Sequence, residues 1–158
     1  MTVTRVETDY DELTVTVIAD FDAPIERVWE LWSDPRRLER WWGPPNYPTT
    51  FENHELAPGG EVTYVMTGED GDMRGTWHVT SVEPPTSLEF TDTFAGPDGA
   101  PIANLPVTTS VRLAEHDGRT RMHMRSTFAS GEDMEKLMSA GLVEGLRQAV
   151  GQMDALLV

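Results

Sequence analysis

The sequence predicts an α+β domain in which a strongly bent antiparallel sheet of about seven strands grips one long C-terminal helix along its concave face. Three observations carry this. Seven stretches alternate apolar and polar residues with the period of a half-buried strand, and turn residues join several of them as hairpins. Two short helical patterns crowded with tryptophan follow the first of these strands. From Asp133 to about Leu157 the pattern is helical throughout.

The chain of 158 residues reads as one domain, with residues 1–12 a loose lead-in or an edge. Leu13 to Phe21 is the first clear strand, with Val15, Val17, Ala19 and Phe21 on one side. The stretch from Ala23 to Pro45 holds four of the five tryptophans. There Asp22 is a candidate N-cap, Pro24 suits a first turn, and Ile25, Val28, Trp29 and Trp32 share a helical face. Ser33-Asp34-Pro35 starts a second helix carrying Leu38, Trp41 and Trp42, which Gly43-Pro44-Pro45 stops. Helices this short need tertiary cover, so the pair reads as a hinged plug at one end of the sheet.

Tyr47 to Leu56 and Glu61 to Thr67 are the next strands, separated by Ala57-Pro58-Gly59-Gly60. A turn at Gly68-Glu69-Asp70-Gly71 leads to a strand from Met73 to Val82, and Ser87 to Phe94 follows Glu83-Pro84-Pro85. The Gly/Pro-rich loop from Ala95 to Pro106 exceeds a hairpin turn. Val107 to Leu113 and Thr120 to Phe128 form the last hairpin, around Glu115-His116-Asp117-Gly118. In the C-terminal helix Ser130 is a good N-cap, and Glu132, Asp133 and Glu135 suit the dipole in its first turn. Gly141 and Gly145 fall in the middle of its apolar face, where each costs about 1 kcal/mol against alanine. Either a neighbour packs closely there, or the helix stands off the sheet and leaves a cavity.

Net charge is −15, and Lys136 is the only lysine, so the field repels phosphate backbones and anionic membranes. No nucleic-acid partner and no membrane partner is expected. Cysteine is absent, which removes disulfides, thiolate nucleophiles and Cys-ligated metals. With no signal-like leader and no run of membrane-spanning length, a cytoplasmic location is expected.

Taken in order, several pieces resemble the activator-of-Hsp90-ATPase-like family of the START-like, or helix-grip, superfamily. They are Ala23-Pro24 with Val28-Trp29, Ser33-Asp34-Pro35, Trp41-Trp42-Gly43-Pro44, Pro58-Gly59-Gly60, Gly75-x-Trp77, Val82-Glu83-Pro84-Pro85 and Glu144-Gly145. They span nearly the whole chain. Departures are Ala57, where such proteins often have arginine, and Leu146, where an aromatic is common. The resemblance implies an internal cavity between sheet and long helix, which different members use for different ligands. It implies neither a ligand nor a reaction.

Residues expected to point inward and line such a cavity are Tyr64, Met66, Trp77, Phe90, Phe94, Met122, Met124, Met138 and Leu142, with Gly141 and Gly145 making room. Trp32, Trp41 and the Ala95–Pro106 loop stand where they would control entry. For any one of the inward-facing residues an ordinary filled core is the better account, and only the glycines and the fold together favour a cavity. Asp92 is the carboxylate that strand parity places among apolar neighbours, so it either pairs, for example with Arg74 or a Thr hydroxyl, or faces a wet cavity mouth. A register shifted by one residue would put it in solvent.

His54, His78, His116 and His123 lack metal-ligand spacing, and no Gly-x-Ser-x-Gly elbow is present. No catalytic residue, metal or cofactor is therefore assigned. The leading function is a binding protein for a small apolar or amphipathic ligand. The alternatives are a polyketide cyclase or aromatase working largely by confinement, and an Hsp90-linked or other protein-binding module. Homodimerisation through a sheet edge or the outer helix face is compatible with the sequence.

Overall fold

Alternation of buried and exposed side chains sets the sheet. In the computed structural model, which describes residues 3–43, 48–68, 71–95 and 107–157 (the side chains of residues 3, 4, 94 and 95 excepted), all strands run antiparallel to their neighbours. The chain runs β1 (Val3–Asp9), β2 (Thr14–Phe21), α1 (Ile25–Ser33), α2 (Pro35–Leu38), β3 (Thr49–His54), β4 (Glu61–Gly68), β5 (Gly71–Glu83) and β6 (Ser87–Ala95). Then come β7 (Val107–His116), β8 (Arg119–Phe128), α3 (Gly131–Ser139), α4 (Leu142–Gly151) and α5 (Met153–Leu156). The spatial order is β1-β2-β8-β7-β6-β5-β4-β3, an eight-stranded sheet in which β2 leaves its neighbour β8 to the far end of the chain. Register shifts between Phe51 and Asn53 and between Val79 and Ser81 supply local twist.

The edge alternative for the N-terminus is the one adopted over Val3–Asp9, which pairs with β2 and raises the strand count to eight. Its signal was weak because an edge strand buries little: residues 7 to 9 are exposed. Asp22 does not cap α1. Pro24 occupies that position without a side-chain bond, and the Asp22 carboxylate reaches outward to Arg119 at 3.8 Å. Asp34 does cap α2, accepting from the Arg36 N–H at 2.9 Å. That helix ends at Leu38, and Trp41 and Trp42 lie on the turns beyond it, where both backbone N–H groups bond the Leu38 carbonyl.

The long C-terminal helical segment is present but interrupted. Its first piece is capped as expected, with Ser130 Oγ accepting from the Asp133 N–H at 3.2 Å. Gly141 then takes φ +90°, a left-handed conformation that L side chains resist, and α4 starts anew. A face drawn at a constant 100° per residue cannot register such a break.

Buried side chains form two groups. The larger joins β2, the α1–α2 plug, the middle strands and the end of the chain, from Val17 and Trp32 to Val150 and Met153. The smaller joins Val15, Val107 and Phe128 to Met134 and Leu137 of α3. The loop from 96 to 106, with its expected role in entry, lies outside the described residues, as do residues 44–47 and the tip of the β4–β5 turn. Among the described residues no helix is long and apolar enough to cross a membrane.

Candidate functional site: a cavity between sheet and C-terminal helices

The plug forms the floor of the site. Trp32 is fully buried, with its ring centroid 4.7 Å from Trp41, 6.0 Å from Trp42 and 6.1 Å from Trp77. Trp77 stacks on Phe90 at 3.9 Å, and Trp42 meets Trp77 edge-on at 4.9 Å. Trp41 is fixed by a 2.8 Å hydrogen bond from its indole N–H to the Leu31 carbonyl, which ties the turn after α2 to α1. Gln152 ties the same turn to the C-terminus, donating to the carbonyls of Trp41 at 3.2 Å and Gly43 at 2.8 Å.

Beside the plug, three strands cooperate to place one acid. Tyr64 on β4 lies opposite Gly75 on β5, and the missing side chain lets the phenol ring cross over the β5 backbone; a Cβ at Gly75 would collide with that ring. The hydroxyl thereby reaches Asp92 on β6, 3.1 Å from each carboxylate oxygen. Burial pushes the Asp92 carboxyl well above the usual carboxylate range, against the opposing effects of the Tyr64 hydroxyl and the Thr93 backbone N–H. Burial likewise raises Tyr64, and the nearby Asp92 charge adds to it, while the Trp42 indole opposes the shift. That indole N–H favours the phenolate by proximity but does not meet hydrogen-bond geometry, so it is a buried donor without a partner. Asp92 thus pairs with Tyr64, not Arg74; Arg74 is exposed and binds Glu52 at 3.0 Å.

A cavity of about 300 Å³ opens from this acid toward the C-terminal helices. Its wall takes residues from both buried groups, Trp41, Tyr64 and Met124 from one and Val107, Phe128 and Leu137 from the other. The cavity lies between them, and Leu146 on its wall packs against both.

Of the residues expected to line a pocket, Trp41, Tyr64, Met66, Asp92 and Met124 do so from the plug and sheet, and Gly141, Leu142 and Gly145 from the helical side. Trp32, Trp77, Phe90 and Met122 do not: each is fully buried, packed beneath the wall rather than in it. Strand parity gives a residue's face but not its depth. Met138 is half-buried against the smaller core group and is also off the wall. Phe94 pairs with Gly75 in the ladder, and its side chain lies outside the described residues. Gly141 serves by its backbone turn, with open space where a Cβ would stand.

Sequence reasoning missed Trp42, Met73, Leu146 and two polar residues, Thr109 and Ser126, all on the wall. Parity could have found the last two, because Thr109 shares a face with Val107 and Val111, and Ser126 with Met124 and Phe128. Among the described residues no three His, Asp or Glu side chains converge as a metal site would require.

Comparison with known proteins agrees with this architecture. The family described as activator of Hsp90 ATPase homolog 1-like protein matches residues 22–158. A solution structure of a protein from Arthrobacter aurescens is 48% identical, with TM-score 0.92 over 99% of this chain and 92% of that one. The crystal structure of protein Ms6760 from Mycobacterium smegmatis is 45% identical, with TM-score 0.89 over 99% of this chain and 97% of that one. DynU16, a protein of the dynemicin biosynthetic locus, shares the fold at 21% identity and TM-score 0.65, over 89% of this chain and 47% of that one. Among curated proteins no match is found. With a helix-grip architecture and a family match reaching from the start of the plug to the last residue, the chain belongs to the activator of Hsp90 ATPase homolog 1-like family.

Proposed function

We propose that this protein binds a small apolar or amphipathic molecule in the cavity between the sheet and the C-terminal helices. The observation that carries the reading is the division of the core. A cavity of about 300 Å³ with a mostly apolar wall interrupts packing that is otherwise tight enough to stack Trp77 on Phe90 at 3.9 Å. Filling it with protein side chains would stabilise the fold, so its retention favours a ligand.

The test is a titration with Nile red, an uncharged apolar dye that fluoresces out of water. A ligand of about 20 non-hydrogen atoms at about 0.3 kcal/mol per atom gains about 6 kcal/mol, a Kd of tens of micromolar. Gly145→Leu, which extends a side chain from the cavity wall and improves helix propensity, should keep the fold and abolish the dye signal. Equal dye binding by a folded Gly145→Leu variant would count against the cavity.

A second reading, a cyclase-like enzyme, is favoured by one feature: Asp92 is an acid in an apolar wall with a raised pKa, the setting of a proton donor. The likeness to DynU16 supports it by fold only. Turnover of a reactive polyketone, lost in Asp92→Asn while Nile red binding persists, would favour this reading over simple binding.

A further inference from the structure

The cavity wall has a second polar station. Thr109 on β7 and Ser126 on β8 are register partners on the inner face, 5% and 6% exposed. Neither hydroxyl bonds another side chain or the backbone among the described residues, and neither is sealed off as the Trp42 indole N–H is: both side chains line the cavity and open onto it. Two buried threonines away from the cavity are tied to backbone: Thr120 donates to the Ala23 carbonyl at 2.7 Å and Thr49 to the Trp42 carbonyl at 2.6 Å. Valine or alanine would pack better in an apolar wall, so hydroxyls that face the cavity favour a polar group on whatever fills it.

The first station, where Tyr64 meets Asp92 beside the unpartnered Trp42 indole N–H, stands on a row of the sheet shared with Val107. Thr109 lies one strand and two residues from Asp92, and Ser126 a further strand away. Sheet spacing puts their Cα atoms about 8 and about 12 Å from that of Asp92. Around the stations the wall is apolar: Val107 stands next to both, and Met66, Met124 and Phe128 flank them on β4 and β8.

We propose that the cavity selects an apolar molecule with a hydrogen-bonding group at each end, one held by Tyr64, Asp92 and Trp42 and the other by Thr109 and Ser126. This rests on the binding reading above and specifies its ligand class. An apolar chain without polar groups would leave both stations unpaired, and a molecule with one polar head would leave the other unpaired.

Competition with Nile red by biphenyl, 4-hydroxybiphenyl and 4,4′-dihydroxybiphenyl tests it. The expected order of affinity rises with each hydroxyl by roughly 3- to 10-fold. In the Thr109→Val/Ser126→Ala variant the diol should lose its advantage over the mono-ol, while biphenyl binds as well as before or better. Two results would overturn the assignment while leaving the cavity in place: equal affinity of wild type for all three, or a diol preference that survives Thr109→Val/Ser126→Ala. Failure of wild type to bind Nile red or any of the three would overturn the binding reading itself, and the ligand class with it.

Discussion

Tyr64 lies across Gly75. The phenol ring occupies the space that any side chain at Gly75 would fill, and through that gap its hydroxyl passes over one strand to reach Asp92 on the next. Gly75→Ala should therefore act on the polar station rather than on the β5 backbone alone. We expect a loss of about 1–3 kcal/mol in urea unfolding, as in other overpacked sites. Because the clash has one partner, Tyr64→Ala should absorb part of it, and a double-mutant cycle should give a coupling above about 0.5 kcal/mol. Strict additivity would mean that the ring moves aside freely.

Asp92 makes stability depend on pH in a definite direction. Its folded pKa is raised above the unfolded value near 3.9, so the native state holds the proton more tightly. The contribution is complete below about pH 4 and is lost as pH rises through the folded pKa. Between those limits wild type should lose up to about 1.4 kcal/mol per pH unit relative to Asp92→Asn, whose amide cannot titrate. Referring each measurement to the variant removes the other carboxylates. Tyr64 adds a loss of the same sign above about pH 10. Asp20, held low chiefly by its hydrogen bond to Arg121, opposes Asp92: its stabilisation is present above the unfolded pKa and lost as pH falls through the folded one.

Two buried threonines should respond oppositely to valine. Thr120→Val removes the donor to the Ala23 carbonyl and leaves that oxygen unpaired, a cost of about 1–3 kcal/mol. Thr109→Val removes a hydroxyl with no partner among the described residues, so thermal unfolding should be unchanged or shifted upward. A destabilised Thr109→Val would give that hydroxyl a structural role.

At Gly141 the space is open and only the backbone resists substitution. Gly141→Ala should cost about 1–2 kcal/mol, and Gly141→Asn less, since asparagine tolerates the left-handed region. If alanine were neutral there, the break between α3 and α4 would not depend on that conformation.

Much of this was legible in the sequence because a sheet writes its parity directly. The period-2 pattern placed seven strands and put Asp92 on the buried face with Leu88 and Phe90. The Tyr64–Asp92 contact was harder, since it joins strands that are not neighbours. Its clue was local: Gly68 pairs with Gly71, and counting back along the hairpin sets Tyr64 against Gly75. The break at Gly141 escaped because apolar spacing continues across it, and a glycine chosen for φ looks the same as one chosen for room. Parity puts Thr109 and Ser126 on an inner face, but they escaped as site residues because face alone does not tell a cavity wall from a packed core. Depth escaped for Trp32 and Trp77, where size and hydrophobicity are common to a cavity wall and to the core beneath it.

Native mass spectrometry of the protein purified from its own cells tests the central claim most directly. We expect wild type to carry a small apolar or amphipathic molecule as an added mass, and Gly145→Leu, folded and purified in parallel, to run at the bare polypeptide mass. Wild type at the bare mass, even after incubation with an organic extract of the same cells, would contradict a ligand-binding cavity.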